Sequence, residues 1–182
     1  MSLDQLANQA AEIRYMFGGK MGVPMVLRTQ GGTGRSTGAK HSQTLEAWIM
    51  HTPGLRLAMP ATAADAYHLL RHSLTLPDPV VFIEHKALYA RKEEVNLDAP
   101  VLDWGKAAVR REGDDLVIVT YSRQVHYALE AAEKLASSGI EACVIDLRTL
   151  NPLDFDTIRQ HVERIGKAMV FSEGVMTAGV AA

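Results

Sequence analysis

The run GGTGRSTGAKHSQ, residues 31–43, places four glycines ahead of a single imidazole. Gly31, Gly32, Gly34 and Gly38 let the backbone turn where a side chain would clash. His41 then stands where the loop gives way to Thr44, Leu45, Ala47, Trp48 and Ile49. That spacing predicts a helix over about 42–50 with Ser42 as its N-cap. An imidazole titrates near neutral pH, so one aimed by a loop can move a proton or hydrogen-bond a carboxylate. The same composition also builds a plain surface loop. It is not a phosphate loop, because no Gly-Lys-Ser/Thr ending follows the glycines. Arg28 and Arg35 flank the loop and are candidates to pair with a substrate carboxylate, while Gln43 is placed to orient the His41 ring.

Other polar residues have quieter expectations. Glu84 and Tyr89 fall at a strand end, where α/β proteins place ligands, but bonding loop backbone is the simpler role. His126 follows another strand end and reads as a helix-surface residue or a lining of the site entrance. Cys143 lies in the apolar run IEACVIDL and reads as a small buried hydrophobe. The seven histidines show no pair at metal-ligand spacing beside carboxylates, which argues against zinc.

The elements that must position these residues alternate. A helix is expected over Leu3–Phe17, where Leu6, Ala10, Ile13, Met16 and Phe17 recur at helical spacing before two glycines. Apolar strands are expected at 23–28, 55–60 and 80–84, with a helix after Thr62, its N-cap. The polar run KEEVNLDAP marks a linker. Beyond it come strands at 115–121, 140–147 and 167–173. Ser122 is expected to cap a helix ending at Gly139, RTLNPLD to form a loop, and FDTIRQHVERIG to form a helix. Continuously apolar strands imply parallel sheets covered on both faces. The expected organisation is a first α/β unit over 1–91, a linker over 92–101, and a second over 102–182.

Composition narrows the classes. Hydrophobic residues are 47% of 182, and the net charge is −2, so there is no basic footprint for nucleic acid. No apolar run approaches the roughly 18–20 residues of a membrane helix. The N-terminus lacks a secretory layout, and a single cysteine suits a reducing cytoplasm. Both ends are abrupt, and GVMTAGVAA turns as if into a further helix, so a fragment of a longer polypeptide is expected.

Six ordered blocks carry a resemblance: RYMFGGK, VPMVLRTQGGTGRSTGAKHSQTLEAW, PGLRLAMPATAADAYHLL, DPVVFIEHKALY, VTYSRQVHYALEAAEKL and DLRTLNPLD. Together they resemble the beta subunit of the thiamine-diphosphate-dependent 2-oxo acid dehydrogenases, of pyruvate, acetoin or branched-chain type, within the transketolase-like superfamily. The resemblance implies the late half of a pyrimidine-binding domain followed by the early part of a transketolase C-terminal domain. It implies an oxidoreductase component that passes an acyl group to a lipoyl arm. Its partners would be an alpha subunit, which holds the diphosphate through Mg²⁺ in a two-alpha, two-beta tetramer, and a lipoyl-bearing acyltransferase.

By the resemblance, His41 matches the family's active-site histidine. A potassium ion held by backbone carbonyls is implied at the positions of Met25, Ser73, Leu74, Leu76 and Asp78, with Leu76 standing where members often carry Asp. The family's activating glutamate and ring-packing aromatic have no counterpart here, so the chain alone is expected to be inactive. Two other readings share some of these blocks: a deoxyxylulose-phosphate synthase or split transketolase, and a non-catalytic assembly fragment.

Overall fold

A computed structural model describes residues 2–182. The opening helix is in three pieces: α1 (Ser2–Asp4), a π-helical stretch (Gln5–Ala10) and α2 (Ile13–Met16). One straight helix over 3–17 was the expectation. The Ala11 N–H reaches back five residues to the Leu6 carbonyl, which widens the turn and keeps Leu6, Ala10 and Ala11 all on the core side.

The remaining regular elements are β1 (Val26–Gly31), α3 (Glu46–Met50), β2 (Arg56–Ala58), α4 (Ala63–Ser73), β3 (Val80–His85), β4 (Ala108–Arg111), β5 (Leu116–Thr120), α5 (Gln124–Ala136), β6 (Ala142–Asp146), β7 (Thr149–Asn151), α6 (Phe155–Ile165) and β8 (Ala168–Phe171). They form two four-stranded sheets, ordered β1-β3-β2-β7 and β4-β6-β5-β8. In each, three strands run parallel and one edge strand runs antiparallel: β7 beside β2, and β4 beside β6.

The parallel cores match the continuously apolar runs. Val80, Val81 and Phe82 in β3 are almost wholly buried, as are Ala142–Ile145 in β6. Strand β1 begins at Val26, in register with Val80, rather than at residue 23. Strand β2 is shorter than expected. Strand β7 lies inside RTLNPLD, read from sequence as loop, and returns from the second half of the chain to close the first sheet. The Asn151 side chain fastens it by donating to the Leu55 carbonyl at 2.6 Å.

Helix α4 starts as read: the Thr62 hydroxyl accepts from Asp65 N–H at 3.1 Å. Helix α5 does not. Ser122 is buried with φ 56°, and its hydroxyl makes no cap, so the chain enters the helix through Arg123. The segment joining the units is pinned along α4. His68 reaches the Asn96 carbonyl at 3.0 Å, and His72 reaches that of Leu102 at 2.7 Å.

Candidate functional site

Strands β1 and β3 deliver their C-terminal ends to one edge of the first sheet, with Gly31 beside His85. The glycine loop leaves from that edge. Its base is closed by the Gly32 N–H donating to the Gln43 carbonyl at 3.1 Å. His41 ends a single 3₁₀ turn, Ala39–His41, entered through Gly38 at φ 81°, and its side chain is exposed. Lys86 donates its ammonium to the His41 carbonyl. Ser42 is not a helix cap. Its hydroxyl donates to the Gly38 carbonyl at 2.9 Å, so α3 begins only at Glu46. Beyond the loop opens a cleft of about 740 Å³ whose walls include Thr33, Ser42, Gln43, Thr44, Trp48 and Glu173.

Under the loop sits His85, 2% exposed. Its Nδ1 accepts from the Ala87 N–H at 3.1 Å, which leaves Nε2 to carry the proton of the neutral ring. Nε2 lies 3.0 Å from Glu173 Oε1, in contact but poorly aligned for a hydrogen bond. Gly32 crosses directly over this ring at φ 94°, and a Cβ there would fall 2.2 Å from Nε2. Only glycine fits both demands.

The other Glu173 oxygen accepts from the Thr33 hydroxyl and the Gln124 amide, each at 3.0 Å. Burial alone would raise the Glu173 pKa. The His85 ring beside it and the donors Gln124 and Thr33 outweigh it and bring the carboxyl down to about 2. Alongside, the Tyr121 hydroxyl donates to Glu46 Oε1 at 2.8 Å, and Oε2 of this buried glutamate has no partner. Burial, then the Glu46 charge, pushes the Tyr121 phenol well above its ordinary value.

The other candidates are placed as follows. Arg28 is committed to Glu84 through two bonds of 2.8 and 2.9 Å, and Tyr89 donates to the same carboxylate at 3.1 Å. Glu84 and Tyr89 therefore bond a side chain rather than loop backbone. Arg35 donates to the Lys86 carbonyl at 3.3 Å. Gln43 lines the cleft, and no hydrogen bond joins it to His41 among the described residues. His126 meets the Ala61 carbonyl at 2.8 Å, a contact between the two halves rather than a site entrance. Cys143 is fully buried, and burial raises its thiol pKa.

In the turn over 73–78, the carbonyls of Met25 and Ser73 accept from Val80 and Leu76 N–H, while the Asp78 carboxylate is paired with Arg14 and Arg56. Among the described residues one trio has metal-ligand atoms within 4.8 Å of one another, Glu112, Cys143 and His161, in the second half of the chain. Among the described residues the cleft brings together no trio of metal-ligating side chains.

Sequence reasoning missed His85, Glu173, Gln124, Glu46 and Tyr121. The one available signal was position: His85 ends the parallel strand β3 and Glu173 lies just beyond the end of β8, where such folds bind ligands.

The chain matches the transketolase pyrimidine-binding domain over residues 4–92 and the transketolase C-terminal domain over residues 105–182. It is 46% identical over 178 residues to the acetoin:2,6-dichlorophenolindophenol oxidoreductase subunit beta of Cupriavidus necator, covering 98% of this chain and 53% of that protein. It is 42% identical over 181 residues to the pyruvate dehydrogenase E1 component subunit beta of Bacillus subtilis, covering 99% of this chain and 56% of the relative. To the 2-oxoisovalerate dehydrogenase subunit beta of the same organism it is 43% identical over 173 residues, 94% of this chain and 53% of the relative. The chain thus spans about half the length of these relatives. A solved split-gene transketolase, described as an inactive beta4 tetramer, shares the fold at a TM-score of 0.76 and 24% identity, covering 99% of this chain and 58% of that one.

Proposed function

Because the chain belongs to the beta-subunit family of thiamine-diphosphate-dependent 2-oxo acid dehydrogenases, we propose that it supplies the proton-handling wall of such an enzyme's active site. The observation that carries this reading is the His41 loop, which stands at the C-terminal edge of parallel strands beside the cleft. Thiamine diphosphate, when bound, supplies the carbanion that cleaves a 2-oxo acid or acetoin. Everything else falls to side chains.

His41 is exposed and borne on a turn held by Gly38 and Lys86, so its ring can meet a substrate without first shedding a partner. It donates or takes a proton at the substrate carbonyl oxygen, or holds the carboxylate. Thr44 and Trp48 shape the cleft wall, and Gln43 contributes a polar group there. The diphosphate and its Mg²⁺ belong to an alpha subunit in this reading, as the family resemblance implies. Trp48, Val175 and Met176 are exposed at 60%, 65% and 92% beside the cleft, an apolar rim suited to that partner. A lipoyl-bearing acyltransferase then accepts the acyl group. Potassium bound by the carbonyls of Met25, Ser73, Leu74, Leu76 and Asp78 would stiffen the turn that precedes β3. Among the described residues no helix is long and apolar enough to cross a membrane.

The test is a calorimetric titration of thiamine diphosphate and Mg²⁺ into the chain, alone and with a matching alpha subunit. Binding that requires the alpha subunit, and that His41→Ala weakens, is the expected result. Tight binding to the chain alone overturns the division of labour, and no binding with the alpha subunit overturns the reading itself.

A further inference from the structure

We propose that Glu173, from the second half of the chain, is a positioning residue for His41: across the seam it holds the first turn of the glycine loop. The inference rests on His41 being the proton-handling residue, but its geometry stands apart from that assignment.

The loop has two ends, and each is held. At the His41 end, Lys86 grips the His41 carbonyl and the Gly32–Gln43 bond closes the base. At the entering end, Thr33 is held twice from the second half. Its hydroxyl donates to Glu173 Oε2 at 3.0 Å, and its carbonyl accepts from Arg123 Nη1 at 3.2 Å. Gly34 leaves just enough room for that guanidinium, since a Cβ there would sit 2.4 Å from Arg123 Nη1.

Glu173 suits the task for a chemical reason. An ionised carboxylate can accept from several donors at once, and bonds to a charged acceptor are the stronger kind. Here the Gln124 amide bonds the carboxylate from α5 and the His85 ring packs against its other oxygen at the end of β3, so Thr33 docks on a group that is held on both sides. His85 also fills the space under Gly32 and stops the loop from sinking. The second domain therefore shapes the site although it carries none of the reacting groups assigned above.

Trypsin reads this tether directly, because Arg35 and Lys40 are exposed within the loop. In the full chain, Glu173→Ala is expected to speed cleavage after these two residues by about tenfold, the scale of one charge-assisted hydrogen bond, while cleavage elsewhere is unchanged. Glu173→Gln, which keeps the length and one accepting oxygen, should restore part of the protection. The His41 ring resonance in a ¹³C-histidine spectrum should move in Glu173→Ala and return toward its original position in Glu173→Gln. If Glu173→Ala does not fold, Thr33→Val removes only the loop's hydroxyl and should loosen the same two sites. Unchanged protection at Arg35 and Lys40, or an equal rise at every site, overturns the proposal. A loosened loop with cofactor binding indifferent to His41→Ala would sink the role of His41 and leave the tether standing.

Discussion

Asp146 ends β6 and Glu173 lies just beyond β8, strands that flank β5 in the second sheet, and both tie to the first half of the chain, Asp146 through Arg110 and Glu173 directly. Asp146 is fully buried. It accepts from Arg110 Nε at 3.0 Å and Nη2 at 2.8 Å, and it shares that guanidinium with Asp65 on α4. Glu173 keeps 12% of its side chain exposed, and its partners are Thr33, Gln124 and His85, with no second carboxylate to share them. Their acidities move in opposite directions. Burial, with Asp65 adding to it, raises Asp146 despite Arg110, whereas the adjacent His85 ring and the Gln124 and Thr33 donors hold Glu173 far below an ordinary glutamate. Asp146 accepts at least as many bonds as Glu173, the Arg148 N–H adding a third at 3.1 Å, so deeper burial and the neighbouring Asp65 carboxylate, not the number of donors, separate the two. One cluster clamps the halves together, and the other stabilises a charge beside a cleft.

The largest expected effect comes from breaking the clamp. Arg110→Ala leaves Asp65 and Asp146 buried and facing each other, and should cost about 3–5 kcal/mol in urea denaturation. A loss below about 1 kcal/mol would mean that the clamp is screened like a surface pair. Next is Tyr121→Phe, which leaves both oxygens of buried Glu46 without a donor and should cost about 1–3 kcal/mol in the same assay.

The smallest effect sharpens the contrast through pH. The folded pKa of Glu173 lies below its ordinary value, so its stabilisation is fully present above about pH 4.5 and is lost as pH falls toward about 2. The stability gap between wild type and Glu173→Gln should therefore close across that window. Asp146 has the opposite sign. Its folded pKa is raised, so its ionisation on leaving the acid range costs stability, and Asp146→Asn should flatten that decline. Equal slopes for the two variants would erase the distinction.

Local chemistry made much of this legible in the sequence. The Thr62 cap, the apolar face of α5 and the glycine run before His41 each depend on residues a few positions apart. What stayed hidden depends on distance. Thr33 and Glu173 are 140 residues apart, and nothing in either neighbourhood announces the other. Ser42 and Ser122 look alike as caps, but one hydroxyl is spent on Gly38 and the other residue is turned by a positive φ. Residues 149–151 have too short an apolar pattern to read as a strand, and pairing with β2 makes them one.

That last pairing sets an order of events during synthesis. Strand β2 has β3 on one side as soon as residue 85 emerges, but its other edge waits for residues 149–151. Until residue 151, about three fifths of the way through the second unit, has left the ribosome, the first sheet offers a bare edge to any passing strand, including one from a neighbouring nascent copy. Dividing the gene at the linker would make that exposure permanent: the first half, made alone, would lack its own edge strand and should be the more aggregation-prone of the two pieces.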